Sequence, residues 1–302
     1  MGDRMDDDIA VLLQGVTKRF GAQTAVDQLD LTIPTGSIYG FIGPNGSGKT
    51  TTMRMILRIY NVDAGVVRVL GNDAGSTADS RIGYLPEERG LYRRMTVRQV
   101  LRYFARLKGM RRPDAAIDEQ LERMSAREWD KKKIEQLSKG MAQKIQFIVA
   151  VIAKPDLVIL DEPFSGLDPV NMEVLRDAVV DMQKAGTTVI FSTHDMDMAE
   201  QLCDRVVMIY KGKKVLDGSL DTIKAGYGGN MLRVRLADHS VWPQTIDGVS
   251  QIIANGRFFD LQLDDQSSRR KVLAQLASTG DVEHFETLRP SLHDIFVRIV
   301  KQ

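Results

Sequence analysis

The run Gly43-Pro44-Asn45-Gly46-Ser47-Gly48-Lys49-Thr50 has the composition of a loop that closes round phosphate oxygens. Its glycines let successive backbone N–H groups converge on an anion, and a helix starting directly after them adds the partial positive charge of its N-terminus. The spacing fits G-x-x-x-x-G-K-[ST], in which the lysine reaches the β- and γ-phosphates of a nucleotide and the following hydroxyl ligates Mg2+. Lys49 and Thr50 take those places, and Thr51 follows at the start of the helix. Further on, the continuous apolar run Leu157-Val158-Ile159-Leu160 reads as a strand buried in a parallel sheet, and it ends in Asp161-Glu162-Pro163. A carboxylate in that position falls beside the metal of a phosphate loop. Asp161 is expected to hold Mg2+, and Glu162 to face the attacking water as general base or as the group that orients it. An acidic pair capping a strand end is common in its own right, and it is the phosphate loop upstream that gives this pair its chemistry.

The surrounding pattern supplies the elements these residues need. Residues 10–42 alternate short apolar runs with turn signals, including Pro34 and Gly36, and the last run leads into the glycine-rich loop. After that loop, Met53, Ile56, Leu57 and Tyr60 recur at helical spacing. A strand pair is expected around Gly65 to Leu70, and a charge-rich helical stretch from Thr96 to about Ser125, ending in the lysine run 131–133. A long helix starts at Ser138 and stops at Lys154-Pro155, and the runs TTVIFST and RVVMIYKGK repeat the buried-strand pattern. Strands alternating with helices imply an α/β core. Gly226, Gly228 and Gly229 form an expected linker. Beyond it MLRVRLA, VSQIIA and FFDLQLD alternate like half-exposed strands, with Asn255-Gly256 as a two-residue hairpin turn. Helices are expected at 267–278 and 291–300 with a strand between them, giving a small, open-faced, ferredoxin-like α+β domain over 230–302.

Up to this point the residues describe a P-loop ATPase. Leu137-Ser138-Lys139-Gly140-Met141 resembles the LSGGQ signature of ABC ATPases, and further motifs of that family follow the same order along residues 10 to about 225. Ser165-Gly166-Leu167-Asp168-Pro169 is similar to the D-loop, His194 to the switch histidine, and Tyr84-Leu85-Pro86-Glu87 stands where the family has its Q-loop. Phe20 resembles the aromatic that stacks on adenine, although an aromatic before Gly21 also serves as turn packing. The fold this resemblance implies is an α/β P-loop core with an antiparallel β subdomain and a helical subdomain at about 88–138. The cofactors it implies are ATP and Mg2+. The catalytic set it implies is Glu162, His194 and Lys49, with Gly43 to Thr51 and Phe20 on the nucleotide and Thr50, Asp161 and Glu87 around the metal. Two such subunits, alike or different, clamp two ATP head to tail, so that Ser138 and Gly140 contact the γ-phosphate in trans. Asp168 is expected to signal across that dimer, with a cap on its own loop as the alternative. His194 is expected at the γ-phosphate rather than as a satisfied core histidine.

Two positions depart from the family pattern: Glu87 replaces a glutamine, adding a negative charge beside the phosphates, and Lys139 replaces the first glycine of the signature pair, which is expected to bring a cation close to the nucleotide in trans. Together with Glu88-Arg89-Gly90-Leu91-Tyr92 and the C-terminal PSLHDIFVRIV, they resemble the branch whose permeases are of the ABC-2 exporter type. That resemblance implies a separate integral-membrane permease as partner and a peripheral position at the cytoplasmic face of the membrane, with the surface of residues 88–135, Arg93 and Arg94 included, receiving the permease.

Composition excludes several other classes. Lys+Arg of 41 against Asp+Glu of 40 leaves a formal charge of +1, so no nucleic-acid partner is expected. The single cysteine, Cys203, provides no disulfide framework and is expected to fill the core. The longest apolar stretch, 145–153, is far short of the roughly 20 residues that span a bilayer. The acidic start MGDRMDDD lacks the marks of a signal peptide or a myristoylation site and is expected to fray over residues 1–9. ABC ATPases with non-transport roles, the main rival, generally carry two ATPase domains or a long coiled-coil insertion, and this chain has neither. A GTPase would need a guanine-reading NKxD-like sequence, which is absent.

Overall fold

The computed structural model describes residues 8–73, 80–88, 90–227, 231–237, 242, 243, 245–265, 268–288 and 290–301. Residues 1–7 of the expected tail fall outside that set, and Ile9 already begins the first strand. The chain divides into two compact units between Ser219 and Leu220. That boundary precedes the expected glycine linker, because Leu220–Tyr227 is a helix of the second unit that takes in Gly226, while Gly228 and Gly229 lie outside the described residues.

In chain order the first unit contains β1 (Ile9–Phe20), β2 (Gln23–Pro34), β3 (Ile38–Ile42), α1 (Lys49–Ile56), β4 (Ala64–Val69), β5 (Asn72–Asp73), β6 (Ile82–Leu85), α2 (Val97–Leu107) and α3 (Asp114–Arg123). It continues with α4 (Lys139–Val151), β7 (Leu157–Asp161), α5 (Pro169–Lys184), β8 (Thr188–Thr193), α6 (Met196–Leu202), β9 (Arg205–Tyr210) and β10 (Lys213–Ser219). Strands β2-β1-β4-β5 form an antiparallel sheet, and β10-β9-β3-β8-β7-β6 form a second sheet that is parallel except at β9–β10. Every residue of β3, β7 and β8 is buried, including the polar ends of β7 and β8, as expected of strands covered on both faces. Helix α1 contributes Met53, Met55 and Ile56 to a single core with Leu13, Leu29 and Ile33 of the antiparallel sheet and Tyr39, Phe41 and Ile159 of the parallel one. The helix that must meet phosphate is therefore fixed from both sides.

The charge-rich stretch expected to be helical from Thr96 to Ser125 is broken in two. Gly109, at φ 86°, and Pro113 stand between α2 and α3, and neither continues a helix. Thr96 starts α2 with a capping box to Gln99. Arg98 then ties the subdomain together, donating through Nε to both oxygens of Asp130 at 2.7 and 2.8 Å and through Nη2 to Asp118 at 2.5 Å. Cys203 is buried, as expected of a core filler.

The second unit contains α7 (Leu220–Tyr227), β11 (Met231–Leu236), β12 (Val249–Asn255), β13 (Phe258–Leu263), α8 (Arg269–Thr279), β14 (Val282–Leu288) and α9 (Leu292–Lys301). Its sheet, β12-β13-β11-β14, is antiparallel throughout, and the hairpin at Asn255-Gly256 forms with Gly256 at φ 62°. Alternate residues Leu232, Val234, Leu261 and Leu263 pack on Val272 and Leu276 of α8. Among the described residues three strands precede α8, so the order is not the ferredoxin-like alternation expected. No helix among them is long and apolar enough to cross a membrane.

Helix α4 lies so close to β6 that a Cβ on Gly83 would stand 2.3 Å from the Ala150 carbonyl oxygen. Gly83→Ala must push strand and helix apart, and is expected to cost about 1–3 kcal/mol. A thermal midpoint several degrees below the parent's would confirm the close approach.

Candidate functional site

Four neighbouring parallel strands end on one side of the sheet, and each delivers a residue singled out by sequence. The glycine-rich loop follows β3, His194 follows β8, Asp161 and Glu162 end β7, and Glu87 follows β6. Loops at the carboxyl ends of an open α/β sheet are where such folds bind ligands.

The loop is shaped by contacts that tolerate no side chain. At Gly43, φ 150°, a Cβ would lie 2.2 Å from the Ile209 oxygen and 2.9 Å from Ser47 Oγ, and Gly48 enters α1 at φ 112°. Asn45 and Gly46 form the exposed tip, and Pro44 and Thr51 are half-buried. Lys49 is 6% exposed, and its Nζ donates to the carbonyls of Gly43 at 2.6 Å and Pro44 at 3.1 Å. Burial lowers the pKa of this ammonium, opposed by the negative charges of Glu162, Asp161 and Glu87. The same three carboxylates would favour a cation beside them.

Asp161 is fully buried. Its Oδ1 accepts from Ser192 Oγ at 2.5 Å and from Thr50 Oγ1 at 3.2 Å, whereas its Oδ2 and Ser47 Oγ are buried without a partner among the described residues. Unpaired buried oxygens are costly. These two lie on residues that the phosphate-loop pattern assigns to metal and nucleotide. One carboxylate and one hydroxyl, completed by phosphate oxygens and water, is a donor set that suits Mg2+.

Glu162 holds a left-handed backbone at φ 49°, a conformation costly for a residue with a Cβ. Its N–H donates to Ser192 Oγ at 2.9 Å, and each carboxylate oxygen lies 3.1 Å from His194 Nδ1. The carboxylate is 11% exposed and His194 is mostly exposed. Burial raises the pKa of Glu162, against the opposing pull of His194 and Lys49. A carboxylate with raised affinity for a proton, oriented by an imidazole and open on one side, is equipped to take a proton from water.

Ser192 orients both Asp161 and Glu162, yet the sequence reading passed over it. The available signal was a hydroxyl in a strand whose neighbours are all buried. Buried polar groups find partners, and in a central strand the partner is the adjacent strand end.

Other expected residues sit further out. Glu87 is exposed, though its charge acts on Lys49. Phe20 is 46% exposed, with its ring edge-on to Tyr60 at 5.4 Å and Lys18 Nζ at 5.5 Å. It thus has a packing partner and an open surface. Ser138 caps α4 by accepting from the Met141 N–H at 3.3 Å, and the atoms nearest a Cβ on Gly140 belong to Leu167 and Asn171. Both oxygens of Asp168 are engaged by Asn171, so within one chain it performs the local capping that was the alternative to signalling. Lys139, expected to bring a cation toward a nucleotide in trans, lies along the D-loop of its own chain, 2.7 Å from where a Gly166 Cβ would be.

Residues 26–165 match the profile described as ABC transporter, and residues 218–300 match that of the C-terminal domain of DrrA1-3-like ATP-binding proteins. An uncharacterized ABC transporter ATP-binding protein of Bacillus subtilis (strain 168), YhaQ, is 44% identical over 94% of this chain and 96% of its own length. This chain belongs to the ABC transporter ATP-binding protein family. The daunorubicin resistance ATP-binding protein DrrA3 of Streptomyces coeruleorubidus is 32% identical over 97% of this chain and 96% of its own length. A solved ATP-binding subunit of an ABC transporter superposes with a TM-score of 0.68 at 26% identity, covering 72% of this chain and 93% of that one. As an ABC ATPase, the chain binds nucleotide and hydrolyses ATP, and its first unit has the family's α/β fold.

Because the folded protein holds a proton on Glu162 more readily than the unfolded chain does, the ionised carboxylate costs stability above the usual glutamate range. Glu162→Gln is expected to unfold at a higher temperature than the parent near pH 7. That gap should close as pH falls from the raised pKa to about 4. Glu162→Gly, which relieves the left-handed backbone, is expected to be more stable than Glu162→Ala by about 1 kcal/mol. Thermal unfolding of the parent and the three variants at both pH values reads out each expectation.

Proposed function

We propose that the chain is the ATP-hydrolysing subunit of an ABC-2-type exporter, held at the cytoplasmic face of the membrane by a separate permease and closing on ATP as a head-to-tail dimer. The observation that carries this reading is a phosphate loop and Asp161–Glu162 pair in one unit followed by a DrrA-like domain in the next. A relative named for drug resistance along its whole length supports export.

In this reading Gly43 to Thr51 wrap the phosphates, Lys49 exchanges its carbonyl partners for phosphate oxygens, and Phe20 lies under the adenine. Thr50 and Asp161, with Glu87 at the outer side, would hold Mg2+, which when bound spreads the charge of the β- and γ-phosphates. Glu162 accepts the proton of the attacking water, and His194, at 3.1 Å from both its oxygens, fixes its direction. Ser138 and the N–H of Gly140 in a second subunit approach the γ-phosphate with the N-terminus of α4. The segment Ser165 to Asp168 lies along that contact. Tyr92, Tyr103 and Leu107 are exposed on the helical subdomain, where the permease is expected to dock beside Arg93 and Arg94.

The test is the rate of ATP hydrolysis against protein concentration. Site completion in trans predicts a rate that rises with the square of concentration in dilute solution, and a strictly linear rate from a monomer contradicts the dimer. In membranes carrying the permease, reversing Arg93 and Arg94 to glutamate is expected to abolish substrate-stimulated hydrolysis while basal hydrolysis persists. Stimulation equal to the parent's would put the docking surface elsewhere.

A further inference from the structure

One face of α4 touches two loops of the catalytic site, the one after β7 and the one after β6. Lys139, Gln143 and Gln146 recur at i, i+4 and i+7, the spacing that aligns side chains along a helix. Lys139 lies on Gly166 of the D-loop. Gln143 Nε2 donates to the Pro163 carbonyl at 3.1 Å, one residue past Glu162. Gln146 Nε2 donates to the carbonyls of Pro86 at 3.0 Å and Glu88 at 3.2 Å, the two residues that flank Glu87.

We infer that Gln146 is a positioning residue: its amide holds the backbone on both sides of Glu87 and so fixes that carboxylate relative to the signature end of the same helix. The chemistry at this point calls for a primary amide. Residues 86–88 have left the β6–β7 ladder, whose last pair is Leu85 with Leu160, and a proline brings no N–H. Two carbonyls therefore face a helix side chain that is only 3% exposed. The –NH2 of glutamine supplies two donors from one atom. A glutamate there would turn acceptors on acceptors, and a leucine would leave both carbonyls unpaired. Among the described residues the Oε1 of Gln146 has no partner, and the polar contacts of its side chain run through Nε2 to the Glu87 segment. Movement of α4, which starts at the cap Ser138, is thereby passed to Glu87.

This inference rests on the reading of Glu87 as a group that faces the metal-bound nucleotide. The test uses the full chain with Gln146→Leu, Gln146→Glu, Glu87→Ala and the Gln146→Leu/Glu87→Ala pair. Hydrogen exchange of the peptide covering Leu85 to Glu88, measured without nucleotide, is expected to speed up in both Gln146 variants. Calorimetric titration with a non-hydrolysable ATP analogue is expected to show about tenfold weaker binding with Mg2+ in Gln146→Leu, and unchanged binding in EDTA. In the Glu87→Ala background, Gln146→Leu should add nothing. Unchanged Mg2+-dependent binding in Glu87→Ala overturns the reading of Glu87, and the inference with it. A loss in Glu87→Ala on which Gln146→Leu adds its full effect overturns the role of Gln146 alone, as does equal weakening with and without the metal. Should Gln146→Leu fail to fold, exchange and binding in Gln146→Glu decide, since the same side-chain volume is kept.

Discussion

The Lys49 ammonium is withdrawn from water at the carboxyl end of a parallel sheet, and most of the molecule is arranged to make that tolerable. Taking a cation out of water costs several kcal/mol unless partners replace the solvent. Two carbonyls of its own loop do so at close range, and Asp161, Glu162 and Glu87 do so through charge. The carboxylates reach it because β7 and β6 end beside β3 and β8, and the helix that starts at Lys49 is wedged into the core between two sheets. In the proposed function a triphosphate would answer the same need, offering oxygens to the ammonium and a partner to Ser47 Oγ.

The carboxylates carry the opposite problem. Glu162 is nearly buried, on a strained backbone and beside a second carboxylate, with Ser192 holding its N–H and His194 its carboxylate. Such strain persists where surrounding structure over-determines it and serves the mechanism. Burial, which makes the ionised form costly, gives the carboxylate its appetite for a proton.

How far the sequence disclosed this depends on which physics set each feature. Buried parallel strands announce themselves by continuous apolar runs, and a phosphate loop by its glycines, so the strand ends and loop that gather Lys49, Asp161, Glu162 and His194 were legible. Where outcome depends on packing between distant segments, it was not. The hydroxyl of Ser192 acquires meaning only when β8 lies beside β7. Lys139 reads as a cation beside a nucleotide in trans until the D-loop of its own chain is seen beneath it. Asp168 offers a cap and a signal with equal chemistry, and the Asn171 contacts show the cap. In the second unit the alternation of strands was plain, but the order of elements was not, because half-exposed strands do not declare their partners. Gly109 and Pro113 did carry the break between α2 and α3, and a closer reading of helix stops would have found it.

The measurement that bears most directly on Glu162 as the proton acceptor is the fate of ATP in Glu162→Gln over one turnover. Parent and variant are mixed with ATP and Mg2+, separated from free nucleotide by gel filtration, and the bound nucleotide is identified. If Glu162 takes the proton of the attacking water, the variant elutes as a dimer holding uncleaved ATP while the parent retains ADP or nothing. Cleavage of bound ATP by the variant at the parent's rate would contradict the account and move the base elsewhere in the site.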